Sequence, residues 1–227
     1  RYRLRRLPEC QTLARRDRVA ACGSESLGAV RLDSLNSMTQ KPISRFPVPE
    51  IADLPEDLRE MILSVQEKVG FVPNVFLVLA HRPDELRAFM AYHDALMLRD
   101  GGLTAAEREM IVVVTSSDNR CQYCVVAHGA VLRIRAKQST IADQVAINYR
   151  EADITPRQMA MLEFALKVSN EADAVNEEDF ATLHGHGFSD DDIWDIAGIT
   201  AFFGMSNRMA NFTAMRPNDE FYVMGRR

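Results

Sequence analysis

The feature that most restricts how this chain can fold is a helix-start signature repeated along it. Thr104-Ala-Ala-Glu107, Thr155-Pro-Arg-Gln158, Asn176-Glu-Glu-Asp179 and Ser189-Asp-Asp-Asp192 each set a capping side chain three residues before an acid or amide. At that spacing the two side chains satisfy amides that the first turn of a helix leaves unpaired. Two further segments show helical periodicity: Leu58, Ile62, Val65 and Val69 after Asp53-Leu-Pro55, stopping at Gly70, and Leu86, Phe89, Met90 and Met97 between Pro83 and Leu98, closed by Gly101-Gly102. A helix is expected from about Ala105 to Ser117. The polar cluster Ser116-Ser-Asp-Asn119 interrupts it and offers Asn119 as the N-cap of the next helix, carrying Cys121 to about Arg135. Alternating strand-like runs are absent, and the β-branched run Ile111 to Thr115 lies inside a helical frame, so it is expected to be a buried helix. The expected fold class is all-α.

The 227 residues, 47% of them hydrophobic, can supply one substantial core or two small ones. Residues 38–227 are expected to form a single helical domain. Before them, Arg1, Arg3, Arg5, Arg6, Arg15, Arg16 and Arg18 crowd a stretch without periodicity. Glu9, Asp17 and Glu25 argue against a transit peptide there, and Met38 opens a segment that reads as a natural start. Residues 1–37 are accordingly expected to be a disordered leader or extension. Basic residues beyond that point are dispersed among acidic ones, and the whole chain carries a net charge of -5, so no face for nucleic acid is expected. No apolar run approaches the roughly 18 residues needed to span a bilayer. Among the four cysteines only Cys121 and Cys124 have meaningful spacing, and a lone C-x-x-C in a chain of this size points to redox or metal chemistry in the cytoplasm.

On a helix Cys121, Cys124 and His128 share one stripe, continued by Val131, Leu132 and Arg135. A position in the first turn exposes Cys121 to unpaired amides and the positive end of the helix dipole, which lowers a thiol pKa. Cys124, one turn deeper, needs a base, and His128 is nearest. Glu109 precedes Cys121 by twelve residues, about 18 Å along a continuous helix, so it reaches the thiols only if the break folds the two helices into a hairpin. Among Val112, Val113 and Ser116 its carboxylate would be partly desolvated, with its pKa raised, or would bind an imidazole. The same four side chains could instead serve as zinc ligands, although such a set on one helix is less usual than ligands on loops or knuckles. A purely structural cysteine pair is the bland alternative.

Glu109, eleven residues, then Cys121-x-Tyr-Cys124-x-x-x-His128 resembles the core of the alkyl hydroperoxidase D family within the carboxymuconolactone decarboxylase-like superfamily. Gly70-Phe-Val-Pro-Asn74, His81-Arg-Pro83, Leu103-Thr-x-x-Glu107-Arg-Glu109 and Asn207-Arg208 are similar to its peroxidase-related subgroup, and the resemblance covers roughly residues 50–215. It implies a helical bundle, with Cys124 as the peroxidatic cysteine, Cys121 as the resolving one, and Glu109 with His128 as a proton relay. It also implies a hydroperoxide substrate, an external dithiol or protein reductant, and a homo-oligomer. The cycle would run through a Cys124 sulfenic acid and a Cys121–Cys124 disulfide. A superfamily relative of ring-opening or decarboxylating chemistry would normally lack the cysteine pair. One departure is Tyr123, which stands where the best-studied members carry a second histidine. The more exposed thiol is expected to be Cys121, placed for exchange with the reductant. No cofactor is implied, since no G-x-G-x-x-G follows a strand. His81, His93, His184 and His186 read as solvated or core histidines, the methionines as core filler, and Trp194, Phe202 and Phe203 as packing residues or an oligomer face.

Overall fold

The computed structural model describes residues 41–226, so the expectation for residues 1–37, and the boundary at residue 38, lie outside the described residues. Within them the chain is all-α: α1 (Glu56–Val69), α2 (Asn74–Leu79), α3 (Pro83–Met97), α4 (Ala105–Asp118), α5 (Gln122–Ala136), α6 (Ile141–Asn148), α7 (Pro156–Asn170), α8 (Glu177–Gly185), α9 (Asp190–Thr213) and α10 (Glu220–Val223), with 3-10 turns at Ile51–Asp53, Tyr149–Glu151 and Ala172–Ala174. All four capping boxes form as the spacing requires, at Thr104, Thr155, Asn176 and Ser189. Each such cap typically contributes about 1 kcal/mol. The short helices α2, α6 and α10 have no counterpart among the sequence expectations, because runs of eight residues or fewer hold too few turns to show a period.

The centre of the fold is α4. Ile111, Val112 and Val113 have no exposed surface, and burial extends without a gap from Glu107 to Ser116. A helix apolar over most of its circumference must be surrounded, and α5, α6, α7 and α9 all pack on it. The β-branched run therefore sits in a buried helix, as its frame suggested. Glu107 does more than cap: its carboxylate also pairs with Arg157 on α7. Arg108, almost fully buried, is compensated by the carbonyl of Leu96 at 2.8 Å and by Asp195 on α9 at 3.3 Å.

Two sets of hydrogen bonds fasten smaller elements to one another and to α5. The Asn74 side chain donates to the Arg216 carbonyl at 2.8 Å, and the Asn218 side chain accepts from the Asn74 amide at 2.8 Å and donates to the Val72 carbonyl at 2.9 Å. Arg133 on α5 donates from Nε to the Met224 carbonyl at 2.9 Å and from Nη2 to the Phe221 carbonyl at 2.8 Å. These contacts hold α2 and α10 beside the cysteine helix. Phe202 and Phe203 on α9 are core residues, but Trp194 on the same helix is 75% exposed and takes no part in that packing.

Candidate active site

The site begins at the join between α4 and α5. Asn119 does not cap α5; it ends α4, its side chain donating back to the Thr115 carbonyl at 3.0 Å and to Asn207 Oδ1 at 3.1 Å. Arg120 takes the left-handed conformation at φ 54°, the Arg120 amide donates to the Ser117 carbonyl at 2.9 Å, and the Cys121 amide donates to the Ser116 carbonyl at 2.8 Å. This pattern closes a helix by satisfying its last carbonyls. Cys121 also starts α5, where its sulfur accepts the Cys124 amide at 3.4 Å. One residue thus finishes α4 with its backbone and caps α5 with its thiol, and the chain reverses into the hairpin that was the condition for Glu109 to approach α5.

The hairpin brings Glu109 to His128, with Oε2 2.8 Å from Nδ1. Glu109 is buried and His128 half-buried, its ring edge-on to Phe203 at 4.7 Å between centroids. Of the two environments open to Glu109 from sequence, the imidazole partner is the one present. An ionised carboxylate can only accept, so Nδ1 carries the hydrogen and Nε2 is left as the basic nitrogen.

The expectation that Cys121 is the more exposed thiol is wrong. Cys121 has no exposed surface and Cys124 only 2%. Cys121 belongs to an apolar cluster with Ala210 and Met215, supplied by the far end of α9 and the segment after it, a long-range covering that helix position does not reveal. Its pKa is nonetheless brought down to about 7, first by the Cys124 thiol hydrogen-bonding to its sulfur, then by the Cys124 amide and Asn207, against the opposing effect of burial. Cys124 moves the other way, well above the ordinary thiol range, because it gives that hydrogen bond and lies buried beside the Cys121 charge. The two shifts oppose each other because one hydrogen bond between the sulfurs causes both.

A cavity of about 240 Å³ opens on Cys124 and His128 and not on Cys121. Val75 and Phe76 of α2, Phe89 and Met90 of α3, Phe203 of α9 and Phe221 of α10 make its walls largely apolar. Tyr123 also lines it; its hydroxyl accepts the Val75 amide at 3.1 Å, and burial holds its pKa above the usual phenol value. That hydroxyl ties α5 to α2. Three residues here have no site role from sequence: Asn207 enters only through the family resemblance, His93 reads as a solvated or core histidine, and Ser206 does not enter. Asn207, fully buried, donates to Ser116 Oγ at 2.9 Å and lies in hydrogen-bonding reach of both sulfurs. Its neighbour Ser206 also lines the cavity, and His93 enters from α3. The available signal was a polar pair, Ser206-Asn207, directly after the apolar stretch around Phe202 and Phe203 of the same helix. His93 follows Phe89 and Met90 at core spacing. Among the described residues no three of His, Cys, Asp and Glu converge as a metal-ligating set; the four sequence candidates pair as acid with imidazole and thiol with thiol.

The chain is an all-helical bundle with a paired acid and imidazole beside a C-x-x-C helix, and comparison with known proteins gives its family and fold. The profile of the Carboxymuconolactone decarboxylase family matches residues 83–167. The crystal structure of an uncharacterized peroxidase-related protein with an alkylhydroperoxidase AhpD core, from Ralstonia eutropha JMP134, is 69% identical, with a TM-score of 0.82 over 83% of this chain and 99% of that one. An uncharacterized peroxidase-related protein from Silicibacter sp. TM1040 is 42% identical, with a TM-score of 0.78 over 83% and 98%. The debrominase Bmp8, solved with 2,3,4-tribromopyrrole, shares the fold at 18% identity and a TM-score of 0.63 over 82% and 96%. No curated protein matches. The chain belongs to the carboxymuconolactone decarboxylase family, among its AhpD-like, peroxidase-related proteins. Among the described residues no helix is long and apolar enough to cross a membrane.

Proposed function

We propose that the protein is a thiol-dependent hydroperoxide reductase in which Cys124 attacks the peroxide, Cys121 resolves the product, and Glu109 with His128 carries the proton. The observation that carries this is the Glu109–His128 pair at 2.8 Å, its imidazole lining the same apolar cavity as the Cys124 thiol. Access decides between the sulfurs: Cys121 is the more acidic thiol, but a molecule in the cavity meets Cys124. His128 Nε2 takes the proton that Cys124 shares with Cys121, and Glu109 stabilises the imidazolium that results. The Cys124 thiolate attacks the terminal peroxide oxygen and breaks the O–O bond; the departing alkoxide takes the proton from His128. The Cys121 thiolate then attacks the Cys124 sulfenic acid one turn away, forming the disulfide and displacing hydroxide, which takes a proton from solvent to leave as water. An external dithiol or protein reductant restores both thiols.

Counting thiols before and after tert-butyl hydroperoxide, with mass-spectrometric localisation of any disulfide, tests the proposal. The expected result is loss of two thiols as a Cys121–Cys124 bond, abolished in Cys124→Ser. Thiols unchanged by peroxide in the parent protein would refute it.

A further inference from the structure

The cavity contains a second imidazole that this cycle does not use. His93 projects from α3 one turn after Phe89 and Met90, which line the same space, and its ring lies 6.5 Å from that of His128. Phe202 and Phe203 flank it at 6.2 and 6.4 Å. We propose that His93 orients the substrate: its Nε2 accepts the O–H of a hydroperoxide bound in the cavity and holds the terminal oxygen toward Cys124. This rests on the peroxidase function above and adds the group that recognises the peroxide.

Three observations support the assignment. His93 Nδ1 is 2.9 Å from the Asp94 carboxylate, which can only accept, so Nδ1 carries the hydrogen and Nε2 presents a lone pair. Burial among apolar side chains moves the His93 pKa below the ordinary histidine value, favouring the neutral ring, with the His128 charge acting in the same sense and Asp94 and Glu109 opposing it. Finally, the other polar groups of the cavity have partners or roles already: the Tyr123 hydroxyl accepts the Val75 amide, Ser206 is hydrogen-bonded to Cys124, and His128 is paired with Glu109 and takes the Cys124 proton in the cycle proposed above. A hydroperoxide entering such a space gives up the water that accepted its O–H and needs a replacement. In the reaction that hydrogen is not transferred. It stays on the terminal oxygen and becomes the sulfenic O–H, while the alkoxide receives the proton that left Cys124. His93 therefore acts by position and hydrogen bonding rather than as an acid or base.

The test compares two reactions of the Cys124 sulfur, followed on its own peptide by mass spectrometry: oxidation by tert-butyl hydroperoxide and alkylation by iodoacetamide, which has no peroxide O–H. In His93→Leu oxidation is expected to slow roughly tenfold, the worth of one hydrogen bond of about 1.4 kcal/mol, while alkylation keeps its parent rate. His93→Gln, whose amide oxygen still accepts, is expected to recover part of the loss, and His93→Met serves in place of the leucine variant if that one does not fold. Parent-rate oxidation in the leucine variant, equal slowing of both reactions, or a glutamine variant no faster than leucine would each overturn the role. A parent protein that alkylates normally but ignores hydroperoxide would overturn the peroxidase function itself, which is a different result.

Discussion

Glu109 and His128 stand 19 residues apart in the chain and 2.8 Å apart in space, joined across a hairpin whose turn is made by Asn119, Arg120 and Cys121. The same turn sets the register of α4 against α5 and places the Cys121 sulfur at the start of α5. The acid, the base and the thiol pair are therefore positioned by a single backbone device, and none depends on a mobile loop for its place.

Glu109→Gln removes the charge and keeps an oxygen able to accept from His128 Nδ1. The fold and the ring orientation should survive, while the imidazolium formed during proton transfer loses its counterion. Peroxide-dependent oxidation of Cys124 is expected to fall by roughly 10²-fold, within the usual contribution of acid–base catalysis, with the circular dichroism spectrum unchanged. His128→Ala is expected to lose at least as much. Parent rates in both variants would remove the relay from the mechanism.

The two sulfurs should titrate far apart. Cys121, lowered to about 7, is expected to supply the thiolate near neutrality, while Cys124 keeps its proton through the ordinary thiol range. Ultraviolet thiolate absorbance against pH should show a first step near 7 assignable to the pair. Cys124→Ala, which removes the hydrogen-bond donor, should move that step up toward the ordinary thiol value. The linkage has a definite sign. A folded-state value below the unfolded one contributes stability that is present above the ordinary thiol pKa and lost as pH falls through about 7. Cys124, shifted upward, works against the native state once the pH exceeds the ordinary thiol range.

What the sequence disclosed, and what it concealed, divides along the range of the interactions. Caps and stripes are local, so the long helices and the Cys121, Cys124, His128 face could be read directly. The hairpin was legible only as a condition, because Glu109 could not otherwise reach the thiols. Its form was not legible, because Arg120 in a left-handed conformation has no compositional mark where glycine would have given one, and Asn119 is as good a cap in sequence as it is a helix end in fact. The burial of Cys121 under Ala210 and Met215, and the arrival of His93 and Asn207 from α3 and α9, are tertiary contacts between segments far apart in the chain. Helical spacing places residues on a face; it does not say which partner covers that face.

Asn207 is where those long-range contacts are concentrated. It joins Ser116 on α4, Asn119 in the turn and both sulfurs, with no exposed surface. Asn207→Leu has a suitable volume but no hydrogen bonds, leaving the Ser116 hydroxyl without this donor. Urea denaturation is expected to register a loss of roughly 1–3 kcal/mol, the cost of an orphaned buried polar group. The Cys121 titration should shift upward in the same variant, since Asn207 is one of the groups that lower it. A stability loss without that shift would show Asn207 to be only a structural link.

The cavity wall provides the last test, through Gly225. This residue sits at φ 70°, and a Cβ there would lie 2.9 Å from Arg133 Cβ and 3.1 Å from Ile134 Cγ1, atoms held close to the α5 backbone and unable to give way as a flexible side-chain end would. Gly225→Ala therefore meets two costs together: about 1–2 kcal/mol for the left-handed backbone, and the displacement needed to clear α5. The contact can be relieved by backing the C-terminal segment away from α5, which would strain the Arg133 bonds to the Phe221 and Met224 carbonyls. Phe221 and Met224 line the cavity on one side, so the damage should fall on substrate retention more than on the thiols. The expected outcome is a raised KM for tert-butyl hydroperoxide, faster proteolytic trimming of the C-terminal segment, and a Cys121 titration that stays where it was. A variant trimmed no faster than the parent and with an unchanged KM would show that α10 is not the wall that confines the substrate.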